Sequence, residues 1–192
     1  PETQAIRTQV ERTQYREHSS PLFLTSSFVF EDAAQMAGMF SGELEGDVYS
    51  RYANPNLDQV IRKMCALEHA ASGFATASGM AAVWGSIAGL LNQGDHIIAS
   101  RALFGSTHQI LTQLLPRFGI TSTYVEGDDI DSWEEAVTPN TKMLLLETPS
   151  NPALRIIDLE KAAAFAKTHS LIFNVDNCFS TPIIQNPIDW GA

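Results

Sequence analysis

Asp176 follows a largely apolar run, Leu171 to Val175, so a carboxylate stands at the tip of a strand that reads as buried. Such a group is costly unless it meets a partner, and a protonated ring nitrogen whose charge it holds is a good one; an Asx turn capping the strand is the other reading. In ATASGMAAVWGSIAGLL the turn Ser78-Gly79-Met80 opens an apolar helix. Free N–H groups and the macrodipole at a helix start favour an anion such as phosphate, Gly79 allows close backbone approach, and Ser78 read alone is an N-cap. Tyr49 and Arg51 in DVYSRYANPN are two apart, hence on one side of an extended chain. A phenol beside a guanidinium grips phosphate, whereas the plain reading is a surface loop. Phe104 in RALFGSTHQI follows a strand and precedes a helix, where its ring can lie on a planar ligand or in the core. In LLLETPSNPALRIIDL, Glu147 and Asn151 stand beside Pro149 and Pro152, which stiffen the loop. Asn151 can offer a hydrogen bond to a ligand hydroxyl or serve turn chemistry.

The elements that must position these residues alternate. The pattern predicts strands at Gly73–Ala77, His96–Ala99, Ile120–Val125, Met143–Glu147 and Leu171–Val175. It predicts helices at Gly79–Leu91, Thr107–Phe118, Ile130–Ala136 and Leu159–Thr168, preceded by one over 57–69 capped by Asn56. Apolar strands alternating with helices imply an α/β fold with a mostly parallel sheet between helices. Such sheets bind ligands beyond the carboxyl ends of their strands, which selects the loops at Ser78, Phe104, Asn151 and Asp176. Residues 1–20 are polar, with Arg7, Glu11, Arg12 and Arg16, and 21–56 read as irregular. The expected organisation is therefore an arm and intersubunit segment at 1–56, then the first part of a large domain at 57–192.

The chain has 192 residues and a net charge of −10, which disfavours nucleic acid and anionic membrane as partners but not a small anionic ligand. Cys65 and Cys178 are far apart, and His18, His69, His96, His108 and His169 show no metal-ligand spacing, so no metal is expected. There is neither a GxGxxG nor a Walker-type sequence, no apolar stretch long enough to span a bilayer, and no signal-like opening; a cytoplasmic setting is the default expectation.

In combination, YSRYANPN, ASGMAA, ETPSNP and VDN followed by TP resemble the pyridoxal-phosphate enzymes of cysteine and methionine metabolism, over nearly the whole chain. The resemblance implies the fold type I, aspartate aminotransferase-like architecture and pyridoxal 5'-phosphate as cofactor. It implies that Ser78, Gly79 and Met80 hold the phosphate, joined by Tyr49 and Arg51 of a neighbouring subunit, in a homotetramer built from active dimers. It further implies Phe104 on the ring, Asn151 near the ring hydroxyl and Asp176 on the pyridine nitrogen, with Asp176 and Phe104 the catalytic members. The family's Schiff-base lysine follows a Ser-x-Thr-Lys stretch after WGAD. Lys63, Lys142, Lys161 and Lys167 do not fit that context, so the sequence is expected to be an N-terminal piece of a longer enzyme. The LFGSTHQ run is similar to O-succinylhomoserine sulfhydrylases, and Ser106 stands where methionine γ-lyases typically carry cysteine. The implied reaction is replacement of succinate by sulfide on O-succinylhomoserine, giving homocysteine for methionine biosynthesis. Cystathionine γ-synthase, a γ-lyase and an inactive oligomerisation or binding module are the alternatives.

Overall fold

The computed structural model describes residues 2–7, 12–127 and 129–192. The chain divides into two compact units, Pro1–Ala75 and Thr76–Ala192.

The first unit is helical and thinly buried: Gly38, Asn54 and Leu67 are its buried members among the described residues. Helix α1 spans Glu2–Arg7 and α2 spans Ala33–Ser41. The sequence reading gave no helix to 21–56, yet α2 carries its own start and stop. Asp32 accepts the Gln35 N–H at 2.7 Å, Gln35 in turn accepts the Glu31 N–H, and Gly42 closes the helix at φ 78°. Helix α3, Pro55–Glu68, starts two residues earlier than expected, with Asn54 as the cap and Pro55 in the first turn. Asn56 serves the chain before it: its Oδ1 accepts the Phe23 N–H at 2.8 Å and its Nδ2 donates to the Pro21 carbonyl at 2.8 Å. Glu11, read as part of the polar arm, lies outside the described residues.

The second unit is a four-stranded sheet, all parallel, in the order β2-β1-β3-β4. It starts with α4 (Gly79–Ala88), followed by β1 (His96–Ser100), α5 (Gly105–Gln109), β2 (Thr121–Val125), β3 (Thr141–Glu147), α6 (Leu159–Thr168), β4 (Ile172–Asp176) and α7 (Thr181–Ile184). Strand alternation sends Ile97, Ala99, Met143 and Leu145 into one core with Ile87 of α4 and with Ile110, Leu111 and Leu115. It sends Ile98, Leu144 and Leu146 into the other core, with Trp133 and with Ala162 and Phe165 of α6. The sheet is thus covered on both faces, as the nearly continuous buried runs of β1 and β3 require. Each fully buried Ile or Leu contributes about 1.5–3 kcal/mol.

Three expectations need correction. Residues 73–77 form no strand: among the described residues no strand runs alongside them, and Phe74 is 82% exposed. The segment 107–118 is not one α-helix. It runs from α5 into a π turn at Ile110–Leu114 and a 3-10 turn at Leu115–Phe118, where Pro116 lacks the N–H that would continue the α ladder. Ile130–Ala136 is a 3-10 segment. Its geometry follows Trp133, fully buried, donating Nε1–H to the Glu126 carbonyl at 2.7 Å and edge-on to Phe165. No described helix is long and apolar enough to cross a membrane.

Candidate active site at the carboxyl edge of the sheet

Parallel pairing sets Glu147 of β3 level with Asp176 of β4, so two carboxylates end adjacent strands. They are treated differently. Glu147 is 5% exposed and uses both oxygens: Oε2 accepts the Phe104 N–H at 2.6 Å and Oε1 accepts the Asn151 N–H at 2.7 Å. Burial pushes its carboxyl above the ordinary range; the two N–H donors pull it down and the Asp176 charge pushes it up again. Asp176 is half-buried, and its Oδ1 accepts the Cys178 N–H at 3.0 Å in the Asx turn the sequence suggested. No protein donor meets Oδ2 among the described residues, which leaves that oxygen for a cationic N–H.

Phe104 caps α5 with no side-chain cap bond, and the residue is 41% exposed. Asn151 is half-buried in the loop after β3. That loop is held by further bonds: Thr148 Oγ1 accepts the Ile157 N–H at 3.0 Å, Ser150 Oγ accepts the Arg155 N–H at 3.1 Å, and the peptides before Pro149 and Pro152 are cis. Gln185 donates to the Thr148 carbonyl at 2.8 Å and to Asn177 Oδ1 at 3.0 Å, linking the residues that follow Glu147 and Asp176. Phe104, Asn151 and Asp176 are therefore brought together around Glu147, at the edge the parallel topology selects. Sequence reasoning assigned no role to Glu147 or Gln185. Their partners are mainly backbone atoms, which leave no side-chain motif.

Ser78 caps α4, its Oγ accepting the Ala81 N–H at 3.2 Å. The 10-residue helix runs about 15 Å and passes by a short link into the amino end of β1, so its N-terminus returns to the carboxyl edge. Ser86, two turns along α4, accepts a hydrogen bond from Asn174 of β4 at 3.0 Å, which ties the helix to the strand carrying Asp176. Ser78 and Gly79 are exposed, Met80 is half-buried, and a Cβ placed on Gly79 meets nothing within 4 Å. The Gly79 and Met80 N–H groups meet no acceptor among the described residues, so the turn has the donors and the clearance that a phosphate needs.

Tyr49 and Arg51 lie in the first unit. They sit at a turn closed by Tyr52 N–H to Tyr49 O at 2.9 Å, not in extended chain as expected, and the Arg51 guanidinium stands 5.3 Å from the Tyr49 ring centre. The turn still brings the phenol and the guanidinium together.

An open acid, an exposed ring, an amide and an anion-ready turn suit a flat, phosphorylated, nitrogen-containing ring. The comparisons agree. The model of the Cys/Met metabolism PLP-dependent enzymes matches residues 2–192. An O-succinylhomoserine sulfhydrylase of Pseudomonas aeruginosa is 42% identical over 100% of this chain and 47% of its own length. An L-methionine gamma-lyase of Fusobacterium nucleatum is 36% identical over 99% of this chain and 48% of its own. A Campylobacter jejuni structure assigned as an O-acetylhomoserine (thiol)-lyase carries a pyridoxyl-lysine phosphate. It superposes with a TM-score of 0.95 at 32% identity, covering 100% of this chain and 47% of that one. The chain spans about half the length of the curated relatives it matches. By its sequence and its parallel α/β fold, the chain belongs to the Cys/Met metabolism PLP-dependent enzyme family.

Proposed function

We propose that the complete protein binds pyridoxal 5'-phosphate and replaces the succinyl group of O-succinylhomoserine with sulfide, releasing homocysteine and succinate. The observation that carries this choice of reaction is the 42% identity to the Pseudomonas sulfhydrylase along the entire chain. Bound cofactor would supply an electron sink for the substrate's α carbon. The chain's own residues do the rest. Asp176 Oδ2 accepts the ring N–H and keeps that nitrogen protonated. Phe104 covers one ring face. Asn151 meets the ring hydroxyl. The Gly79 and Met80 N–H groups, with Ser78, bind the phosphate. Tyr49 and Arg51 reach a phosphate in a neighbouring subunit, in a homotetramer of active dimers, with 1–56 as the intersubunit segment and 57–192 as the first part of the large domain. The setting is cytoplasmic and serves methionine biosynthesis.

Lys142 lies at the amino end of β3, and Lys161 and Lys167 lie on the exposed side of α6, so the reading gives none of these three a part at the Asp176 edge.

The test is a steady-state assay of the complete protein, offering O-succinyl-, O-acetyl- and O-phosphohomoserine with sulfide or cysteine. The expected result is homocysteine from the succinyl ester and sulfide, with kcat/KM at least about tenfold above the other pairs, a margin one extra pocket contact can supply. Release of a 2-oxo acid and thiol from methionine as the dominant reaction would establish the γ-lyase alternative instead. Cystathionine from cysteine would establish the synthase. A full-length preparation that retains no cofactor would leave only the binding module.

A further inference from the structure

We infer that Glu147 is a positioning residue of this site: its buried carboxylate straps the Phe104 turn and the Asn151 turn to the tip of β3, fixing ring stack and hydroxyl partner relative to Asp176. The inference rests on the pyridoxal-phosphate reading above. The two turns come from different places, one following β1 and the other following β3, and are 43 and 4 residues from Glu147 along the chain. One carboxylate, one oxygen per turn, is what joins them. Both bonds are charge-assisted, the strong class of hydrogen bond.

A purely structural staple would be costly here. Burying a carboxylate is expensive, and Glu147 is level with a second one, Asp176, whose charge opposes its ionisation. Two acids at adjacent strand ends are relieved when a cation faces one of them. Asp176, with a free oxygen, is the one that can face it, while Glu147, with both oxygens occupied, is the one that holds the walls. The site thus divides labour between two residues that look alike in sequence. The inward acid sets the frame and the outward acid meets the ligand.

Glu147→Gln separates this role from packing. Glutamine keeps the volume but offers one acceptor and one NH2 group, so one of the two N–H straps must be lost. In the complete protein, amide exchange in the turn around Phe104 or around Asn151 is expected to quicken about ten- to a hundredfold, the worth of a hydrogen bond to a charged group. At matched pyridoxal-phosphate occupancy the visible circular dichroism of the bound cofactor should weaken, and kcat should fall while KM changes little. If Glu147→Gln does not fold, Glu147→Asp keeps the charge, shortens the arm and is read by the same exchange and dichroism measurements. Unchanged exchange and dichroism in a variant that loads normally would overturn the role of Glu147. Wild-type protein that takes up no pyridoxal phosphate would overturn the functional reading instead.

Discussion

The two ends of the sheet bury polar groups for opposite purposes. At the amino end His96, 5% exposed, is closed off by its neighbours: Nδ1 pairs with Thr141 Oγ1 at 2.8 Å and Nε2 with Thr123 Oγ1 at 2.9 Å. All three residues belong to paired strands, so the network serves strand register and offers little to a ligand. At the carboxyl end Glu147 is equally buried, but its partners are loop N–H groups. The residues around it, Phe104, Asn151 and Asp176, face outward wholly or in part. Burial of a polar group marks a site only where what it fixes remains open.

The sharpest way to break this contrast is to remove the open acid. On the proposed reading, Asp176→Ala in the complete enzyme leaves the fold intact and lowers kcat by at least about a hundredfold, as loss of an aligned charge at a reacting centre does. Turnover and far-UV dichroism measured together check it, and near-normal turnover refutes the role. The matching change at the closed end is His96→Val. It withdraws the partner of two threonine hydroxyls, of which Thr141 Oγ1 still accepts the Thr138 N–H at 2.8 Å. The expected loss is about 1–2 kcal/mol of stability, seen in urea unfolding, with kcat and KM unchanged. A large fall in kcat would show that the closed end is coupled to the chemistry.

The same contrast explains what could be read in the sequence. Asp176 was legible because an apolar run ends on an acid, and Ser78 because a serine before an apolar helix is an N-cap signal. The double coverage of the sheet was legible in the nearly all-apolar strands. Glu147 was visible as a residue and illegible as a hub, because its partners are backbone amides that any residue supplies. Gly73–Ala77 has strand composition, but pairing depends on a neighbour that local pattern does not encode. Helix α2 was hidden by its glycines, although Asp32 and Gln35 carry its capping pattern. Thr107–Phe118 kept helical spacing, while Pro116 changed the hydrogen-bond ladder beneath it.

The finest test of the two ends is their response to pH, because their signs oppose. Burial holds His96 below the ordinary imidazole value of 6.5. The unfolded chain then binds the proton more readily than the folded one, so this contribution to stability is complete above 6.5 and is lost as pH falls through the folded value. Glu147 is held above 4.5, chiefly by burial. Here the folded chain binds the proton more readily, so the contribution is complete below 4.5 and is lost as pH rises through the folded value. Each group moves one proton, so each slope is at most about 1.4 kcal/mol per pH unit. Urea midpoints across the acid range should therefore show His96→Val losing the decline that wild type suffers on acidification below 6.5, and Glu147→Gln losing the decline on raising pH above 4.5. Parallel curves for wild type and His96→Val would mean that the threonine pair stabilises charged and neutral imidazole alike. The amino end would then be closed in geometry but open in charge.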